Sequence, residues 1–214
     1  MDILAIETST ALGSAALWRD GRLVDVQDFQ SERNHNAVLF APLAALVKEL
    51  QDLECIVCGT GPGSYTGIRV GIAAAIGVSL AKNTSLIGLS SLLALRHTQG
   101  LERFAVCGDA RRGSWWWAEV VNGRLAVPPL NGTANEAAAR ASAWCGQIFT
   151  IDPASPPFCE ATHTWPRADI LATTAAGLSE ATVAQLAAQP VEPIYLGPAF
   201  VTQSKKSVFA SPYA

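Results

Sequence analysis

A repeated hairpin pattern constrains the fold of this chain more than any other feature. Residues 3–26 and 103–127 both run as a strand ending near an acid, a short turn, Gly-Ser, a second strand, a hairpin turn and then Arg-Leu. The two hairpin turns, Asp20-Gly21 and Asn122-Gly123, are dipeptides typical of primed two-residue turns. We interpret the repeat as an internal duplication of one folding unit.

The segments after each hairpin alternate between helix and strand. Apolar periodicity and turn residues predict these elements at 34–50 (helix), 54–60 (strand), 70–81 (helix), 135–143 (helix), 147–151 (strand) and 168–188 (helix). Two βββαβα units in tandem describe the α/β actin-like ATPase and sugar-kinase (ASKHA) fold, with a cleft between two lobes. The predicted lobes cover residues 1–100 and 101–214.

A glycine-rich run from Gly59 to Gly71 joins an apolar strand to a helix without charge. Such a turn places backbone N–H groups at a helix N-terminus, where anions bind well. The spacing excludes a P-loop, however, because no lysine occurs between Lys48 and Lys82. A dinucleotide-binding fingerprint is also excluded, because Ser64 stands where its third glycine would be.

Small residues recur every four positions along this helix, at Gly67, Gly71, Ala75 and Ser79. Residues at this spacing share one helix face and leave a flat strip that allows another backbone to approach closely. Because the other sides of the helix are also apolar, two interpretations stay open. The helix is either internal to the core, or it packs against a partner subunit.

Composition limits the classes of function. The chain has 214 residues, of which 15% are charged, and its net charge is −3, so tight independent binding of nucleic acid is not expected. The start of the sequence has no basic n-region, no apolar run is long enough for a bilayer, and five cysteines without a secretion signal favour a reducing compartment. We expect a cytoplasmic protein, with Cys55 and Cys58 as buried thiols on opposite faces of a strand.

The acids at the ends of the first strands, Glu7 and Asp109, raise the question of a nucleotide. Actin-like folds bind phosphate with the turns that follow these strands, so Glu7, Thr8, Ser9 and Asp109 are candidates for binding a nucleotide and a magnesium-bound water. Equally, each acid could simply cap its turn. The run of Trp115, Trp116 and Trp117 does not form one base-stacking platform, because neighbouring strand residues face opposite sides.

The motifs that carry a family resemblance follow one another over nearly the whole chain: Ile3-Leu4-Ala5-Ile6-Glu7-Thr8-Ser9, the run from Gly61 to Gly71, Asp109-Ala110-Arg111 followed by Gly113, and Pro193-Ile194-Tyr195-Leu196. On these residues the chain resembles the TsaB (YeaZ) family, non-catalytic relatives of the TsaD or glycoprotease-like proteins. It departs from the family at Glu7, where aspartate is usual, and at Gly197, where arginine is expected. Residues 128–190 match poorly.

The resemblance implies a subunit of the complex that makes N6-threonylcarbamoyladenosine beside the anticodon of tRNA. In that family TsaD binds the metal and transfers the threonylcarbamoyl group, while the TsaB-like protein stabilises TsaD and helps recruit the ATPase TsaE. The resemblance therefore implies an accessory subunit without a metal or cofactor of its own, which meets tRNA only through the complex. It leaves open ATP or ADP with magnesium at the subunit boundary, and a homodimer when the partner is absent.

The resemblance places the partner interface on the first lobe, and our candidates on its two helices are His35, Leu39, Leu43, Gly67, Arg69, Gly71, Ala75 and Ser79. The H-x-x-x-H metal motif of the catalytic relative is reduced here to His35, with Leu39 in the second position. Arg69 in the first turn of a helix opposes the helix dipole, so we expect it to meet an acid in the fold or on the partner. A Gly71→Leu change is expected to disrupt partner packing and leave the lobe folded.

Two other classes of function compete with an accessory subunit. An actin-like ATP-dependent kinase or ATPase predicts magnesium-dependent nucleotide binding that Glu7→Ala or Asp109→Ala abolishes. A metallopeptidase is disfavoured, because the sequence contains neither H-x-x-x-H nor H-E-x-x-H.

Overall fold

Two five-stranded mixed sheets form the frame of the molecule in a computed structural model, which describes residues 2–30, 35–48 and 52–196. The first sheet has the order β3-β2-β1-β4-β5 and the second β10-β9-β6-β7-β8. In each sheet two consecutive hairpins pair antiparallel and a later strand adds in parallel to the first strand of the hairpins. The α/β class and the repeated hairpin pattern predicted from the sequence are confirmed.

The first sheet is built from residues 3–89. Its strands are β1 Ile3–Glu7, β2 Leu12–Arg19, β3 Arg22–Gln30, β4 Cys55–Gly59 and β5 Ser85–Leu89. The helices α1 His35–Lys48 and α2 Tyr65–Lys82 cover one face of this sheet. The turn between β2 and β3 has Asp20 and Gly21 at φ values of 51° and 78°, as a primed turn requires.

The second sheet repeats the hairpins but not the whole unit. Its strands are β6 Arg103–Arg111, β7 Ser114–Val121, β8 Arg124–Thr133, β9 Ile148–Thr150 and β10 Thr162–His163. Helix α3 Ala134–Ala143 starts at a capping box in which Thr133 and Glu136 bond each other's backbone N–H groups. Between β9 and β10 the chain forms a loop with several prolines instead of the helix present at the corresponding place in the first half.

The last two helices return to the first sheet. Helices α4 Ala168–Ala176 and α5 Glu180–Ala187 pack on the face opposite α1 and α2. The backbone N–H of Ala168 donates to Ser14 Oγ on β2 at 2.8 Å, and Arg167 pairs with Asp28 of β3 at 3.1 Å. This packing differs from the predicted division, which assigns residues 168–187 to the second lobe, because the apolar back face of the first sheet needs a cover.

Buried side chains behave as the sequence predicts. Cys55 and Cys58 lie in core clusters on opposite faces of the first sheet, and burial raises their pKa values to about 11 and about 12. Trp116 and Trp117 are buried on opposite faces of the second sheet, while Trp115 meets Phe158 edge-on. The three indoles therefore form no common platform.

Neither a metal-binding cluster nor a membrane-spanning helix is found among the residues that the structure describes. Among them no group of three or more His, Cys, Asp or Glu side chains is placed to hold a metal ion. None of their helices is long and apolar enough to cross a membrane.

Candidate functional site

A cleft of about 660 Å³ lies between the two sheets. Its first wall consists of the turn after β1 and the start of α2. Its second wall consists of the end of β6 and the segments at the ends of β9 and β10. The polar and aromatic residues that line it include Ser9, Thr10, Ser64, Tyr65, Asp109, Arg111, Asp152, His163 and Trp165.

The glycines before α2 fit the backbone of the turn after β1. Gly61 has a φ of 90° and Gly63 a φ of 154°, and a Cβ on Gly63 would collide with the carbonyl oxygen of Ser9. The next residue, Ser64, donates its backbone N–H to that carbonyl at 2.6 Å, and its side chain caps α2 by accepting from the Gly67 N–H at 3.2 Å. The glycine-rich run therefore joins two parts of one lobe.

The small-residue strip predicted for a partner faces the interior of its own lobe. Gly67, Gly71 and Ala75 are buried, and a Cβ on Gly71 would collide with the side chain of Thr8. The hydroxyl of Thr8 donates to the carbonyl of Gly67 at 2.8 Å. The small residues therefore do allow a close approach to α2, but the element that approaches it is the segment at the end of β1. The prediction that these three residues lie in a partner interface is wrong, because they belong to the core of the lobe.

The other predicted interface residues divide between core and surface. Leu39 and Leu43 of α1 are 0% and 4% exposed and belong to the core, because α1 turns its leucine stripe towards the sheet. Ser79 is half-buried and donates to the carbonyl of Thr84 at 2.7 Å, which closes the end of α2. His35 is the first residue of α1, and its side chain lies outside the described part of the chain.

Arg69 remains on the surface of α2. Its guanidinium donates to the hydroxyl of Tyr65 at 2.8 Å and lies 5.2 Å from the centre of that ring. Tyr65 also packs against Tyr195, with 5.7 Å between the ring centres and 39° between the ring planes. Within the described ranges Arg69 has no carboxylate partner, so its predicted acid does not lie in this part of the fold.

A second strip of small residues lies on the solvent side of α2. Ala73, Gly77 and Ala81 are exposed and line an apolar groove of about 410 Å³ between α1 and α2. Phe40, which is 54% exposed, lines the groove. Ile76 and Leu80, which are 43% and 78% exposed, follow Ala73 and Gly77 by three positions and so lie beside the small residues on the helix surface. We call Phe40, Arg69, Ala73, Ile76, Gly77, Leu80 and Ala81 the outward face. The spacing Ala73-Gly77-Ala81 is visible in the sequence, but the predicted interface does not include these residues.

Glu7 is sealed beneath the turn after β1 rather than presented to the cleft. It is fully buried, its Oε1 accepts the Ser9 N–H at 2.7 Å, and a Cβ on Gly59 would occupy the place of its carboxyl group. Burial raises the pKa of Glu7 above its ordinary value, against the lowering effect of the hydrogen bonds from Ser9. A magnesium-bound water shared between Glu7 and Asp109 does not fit this placement.

Asp109 lies on the opposite wall and caps its own turn. Its carboxylate accepts the Arg111 N–H at 2.6 Å, while its own N–H donates to Asp152 Oδ2 at 2.7 Å. Burial raises the pKa of Asp152. Of the four nucleotide candidates, Ser9 and Asp109 line the cleft, whereas Thr8 and Glu7 hold the first lobe together.

Sequence comparisons with known proteins identify a family and several relatives. The family described as "TsaD: tRNA N6-adenosine threonylcarbamoyltransferase" matches residues 30–188. The tRNA threonylcarbamoyladenosine biosynthesis protein TsaB of Escherichia coli is 35% identical over 127 residues, which is 56% of this chain and 54% of that protein. TsaB of Bacillus subtilis is 34% identical over 121 residues, 53% of this chain and 52% of that protein. The chain thus spans about half the length of these curated relatives.

A solved structure covers the chain more completely. The structure of YeaZ from Pseudomonas aeruginosa superimposes with a TM-score of 0.70 and 27% sequence identity, covering 91% of this chain and 99% of that one. Fold and family match together define a TsaD-like protein of the actin-like (ASKHA) class. Within that class, the chain belongs to the TsaB/YeaZ family. The predicted family and fold class are confirmed.

Proposed function

We propose that this chain is an accessory subunit in the synthesis of N6-threonylcarbamoyladenosine on tRNA and binds a TsaD-type catalytic subunit. Its relatives in Escherichia coli and Bacillus subtilis are named tRNA threonylcarbamoyladenosine biosynthesis proteins, which supports a role in this synthesis. The accessory role is supported at Leu39, which replaces the second histidine of the catalytic motif and is buried in the core of the first lobe. An aliphatic side chain in that position offers a metal ion no donor atom.

The outward face carries the proposal. Three large apolar side chains on two neighbouring helices are 43–78% exposed, and small residues between them leave the backbone of α2 open. Surfaces of this kind mark interaction sites, because water is released when a partner covers them. The exposed glycine and alanines allow a helix of the partner to approach closely.

Gly77 provides a direct test of this interface. A Cβ added at Gly77 meets nothing within 4 Å, so Gly77→Arg should leave the lobe folded and place a charge in the groove. Tagged chain recovered from native lysate should bring down the TsaD-type protein in near-equal amount, and Gly77→Arg should reduce that recovery at least tenfold. Ala139→Arg on the exposed side of α3 is the matched control. Full recovery by the Gly77→Arg variant would contradict the interface.

The proposed complex with a TsaD-type subunit implies further features. We expect recruitment of TsaE, a cytoplasmic location, contact with tRNA inside the complex, and no resident cofactor in this chain. We also propose ATP or ADP with magnesium at the subunit boundary. Ser9 and Asp109 are the nucleotide candidates that line the cleft. A homodimer through the outward face is expected when the partner is absent. The alternative of an independent kinase loses support, because Glu7 is sealed away from the cleft.

A further inference from the structure

A cluster of planar side chains surrounds Trp165 at one end of the cleft. The Arg96 guanidinium lies 5.2 Å from the centre of the Trp165 ring, the His97 ring meets it edge-on at 5.6 Å, and the His163 ring lies 6.0 Å away at 37°. Two of the three histidines of the chain are therefore gathered around one indole. We call these four residues the Trp165 cluster.

The cluster is accessible and its arginine is not neutralised. Arg96, His97 and His163 are exposed, and Trp165 is half-buried. In the part of the chain that the structure describes, Arg96 forms no ion pair with a carboxylate. Arg167, two residues after the indole, pairs with Asp28 at 3.1 Å and with Asp169 at 2.8 Å. One arginine thus serves the fold, while the other leaves its charge available.

The backbone holds the cluster in place. The N–H of Arg96 donates to the carbonyl of Trp165 at 3.0 Å, and the N–H of His97 donates to Thr164 Oγ1 at 3.3 Å. Leu95 and Pro166 form an isolated β-bridge beside these bonds. The two segments that carry the cluster are therefore fixed to each other, and little ordering is required when a ligand binds.

We infer that the Trp165 cluster binds single-stranded RNA, and that the RNA is the tRNA of the proposed complex. Bases stack on indole and imidazole rings and on guanidinium planes, and guanidinium and imidazole N–H groups donate to phosphate oxygens. An acidic peptide would need several cations, whereas this cluster combines one guanidinium, that of Arg96, with three aromatic rings. With a net charge of −3 the chain contributes one contact to RNA that the complex holds, and the inference rests on that proposed function.

The experiment measures RNA binding by the assembled complex. Wild-type chain and variants are purified together with the TsaD-type subunit, and a fluorescein-labelled, unmodified tRNA that reads a codon starting with A is titrated while anisotropy is recorded. Trp165→Leu should weaken binding roughly five- to a hundredfold, the effect of one lost base stack. Arg96→Gln should weaken binding at low salt and lower the slope of log affinity against log salt by about 1.

The matched controls come from a second arginine–indole pair. Arg103 lies 4.3 Å from the ring of Trp144 at the far end of the second lobe, without a histidine beside it. Arg103→Gln and Trp144→Leu should leave tRNA affinity unchanged. Thermal unfolding of each variant, together with Trp165→Phe, which keeps a ring in place, separates loss of fold from loss of contact. Trp165→Phe should retain most of the affinity.

The outcomes separate this inference from the proposed function. A complex that forms normally with Trp165→Leu and Arg96→Gln but binds tRNA as tightly as wild type overturns the RNA contact alone. Equal competition by polyglutamate and by a single-stranded RNA of the same length also overturns it, in favour of an acidic peptide. Failure of the wild-type chain to recover the catalytic subunit would instead overturn the proposed function.

Discussion

The two faces of α2 carry the same pattern in opposite surroundings. The inward residues Gly67, Gly71 and Ala75 and the outward residues Ala73, Gly77 and Ala81 are both spaced by four. A Cβ on Gly71 would collide with Thr8, whereas a Cβ on Gly77 would enter open space. One face is a fitted contact within the lobe, and the other is a surface that the described chain leaves uncovered.

This difference shows what small-residue spacing can and cannot predict. Spacing by four identifies a flat face on a helix, since such residues lie one above the other. It does not say which element covers that face. The inward face is covered by Thr8, which is 59 positions away from Gly67 in the chain and donates a hydrogen bond to the carbonyl of Gly67.

The strongest way to break the comparison is Gly71→Leu. We expect the free energy of unfolding to fall by about 3 kcal/mol, because the added side chain has to displace the end of β1. Urea unfolding followed by circular dichroism measures the loss. A variant with the wild-type midpoint that loses only its partner would show that Gly71 lies in the partner interface instead.

Thr8→Val tests the inward contact at nearly constant shape. The change removes the hydroxyl that donates to Gly67 at 2.8 Å inside the core. We expect a loss of about 1 to 2 kcal/mol in the free energy of unfolding. Recovery of the TsaD-type subunit should be unchanged, because the outward face is untouched; a loss of partner without a loss of stability would show that the two faces are coupled.

The buried carboxyl group of Glu7, at the end of β1, makes the stability of the first lobe depend on pH. Because burial raises its pKa above the ordinary 4.5, the folded chain holds this proton more tightly than the unfolded chain does. Its contribution to stability is therefore fully present below pH 4.5 and is lost as the pH rises through the folded pKa. Glu7→Gln stays neutral throughout, so it should flatten this decline and be more stable than the wild type at pH 8.

The measurement is a series of urea titrations between pH 4.5 and 8. Glu160→Gln, at an exposed position, serves as the control and should follow the wild type. A Glu7→Gln variant that is less stable than the wild type at pH 8 would mean that Glu7 is buried as a carboxylate.

Gly77→Ala sharpens the comparison with the smallest effect. Alanine in an exposed helix interior stabilises the helix by about 0.5 to 1 kcal/mol relative to glycine, and nothing lies within 4 Å of the added methyl group. We expect a corresponding gain in the free energy of unfolding. The same change at Gly71 should be destabilising, so equal effects at both positions would remove the distinction between the faces.

Much of the fold could be predicted from local signals. The turn pairs Asp20-Gly21 and Asn122-Gly123 fix the hairpins, and apolar periodicity places α3 within one residue of its observed bounds. The end of α2 is also placed within one residue, but the helix begins at Tyr65, before its predicted start at residue 70. The return of α4 and α5 to the first sheet could not be predicted, because it depends on which sheet has an uncovered apolar face. The predicted single helix over 168–188 is also interrupted, and the chain turns between Gly177 and Ser179 before α5 begins.

The candidate site was predicted less well than the fold. Ser9 follows β1 and Asp109 lies near the end of β6, and both line the cleft, as their places in the two repeated units predict. The Trp165 cluster was missed because Arg96 and His163 are 67 positions apart and carry no motif. Such a cluster is visible only once the β9–β10 region is paired with the segment before β6.

The cover that α4 and α5 provide has a consequence for how the molecule is made. Residues 3–89 emerge from the ribosome first, yet the back face of their sheet stays open until residue 187 has been synthesised. Nascent chains stalled before residue 168 should therefore bind chaperones that recognise apolar strands, and release from them should coincide with the arrival of the last two helices. For this molecule, the half that is translated first is completed last.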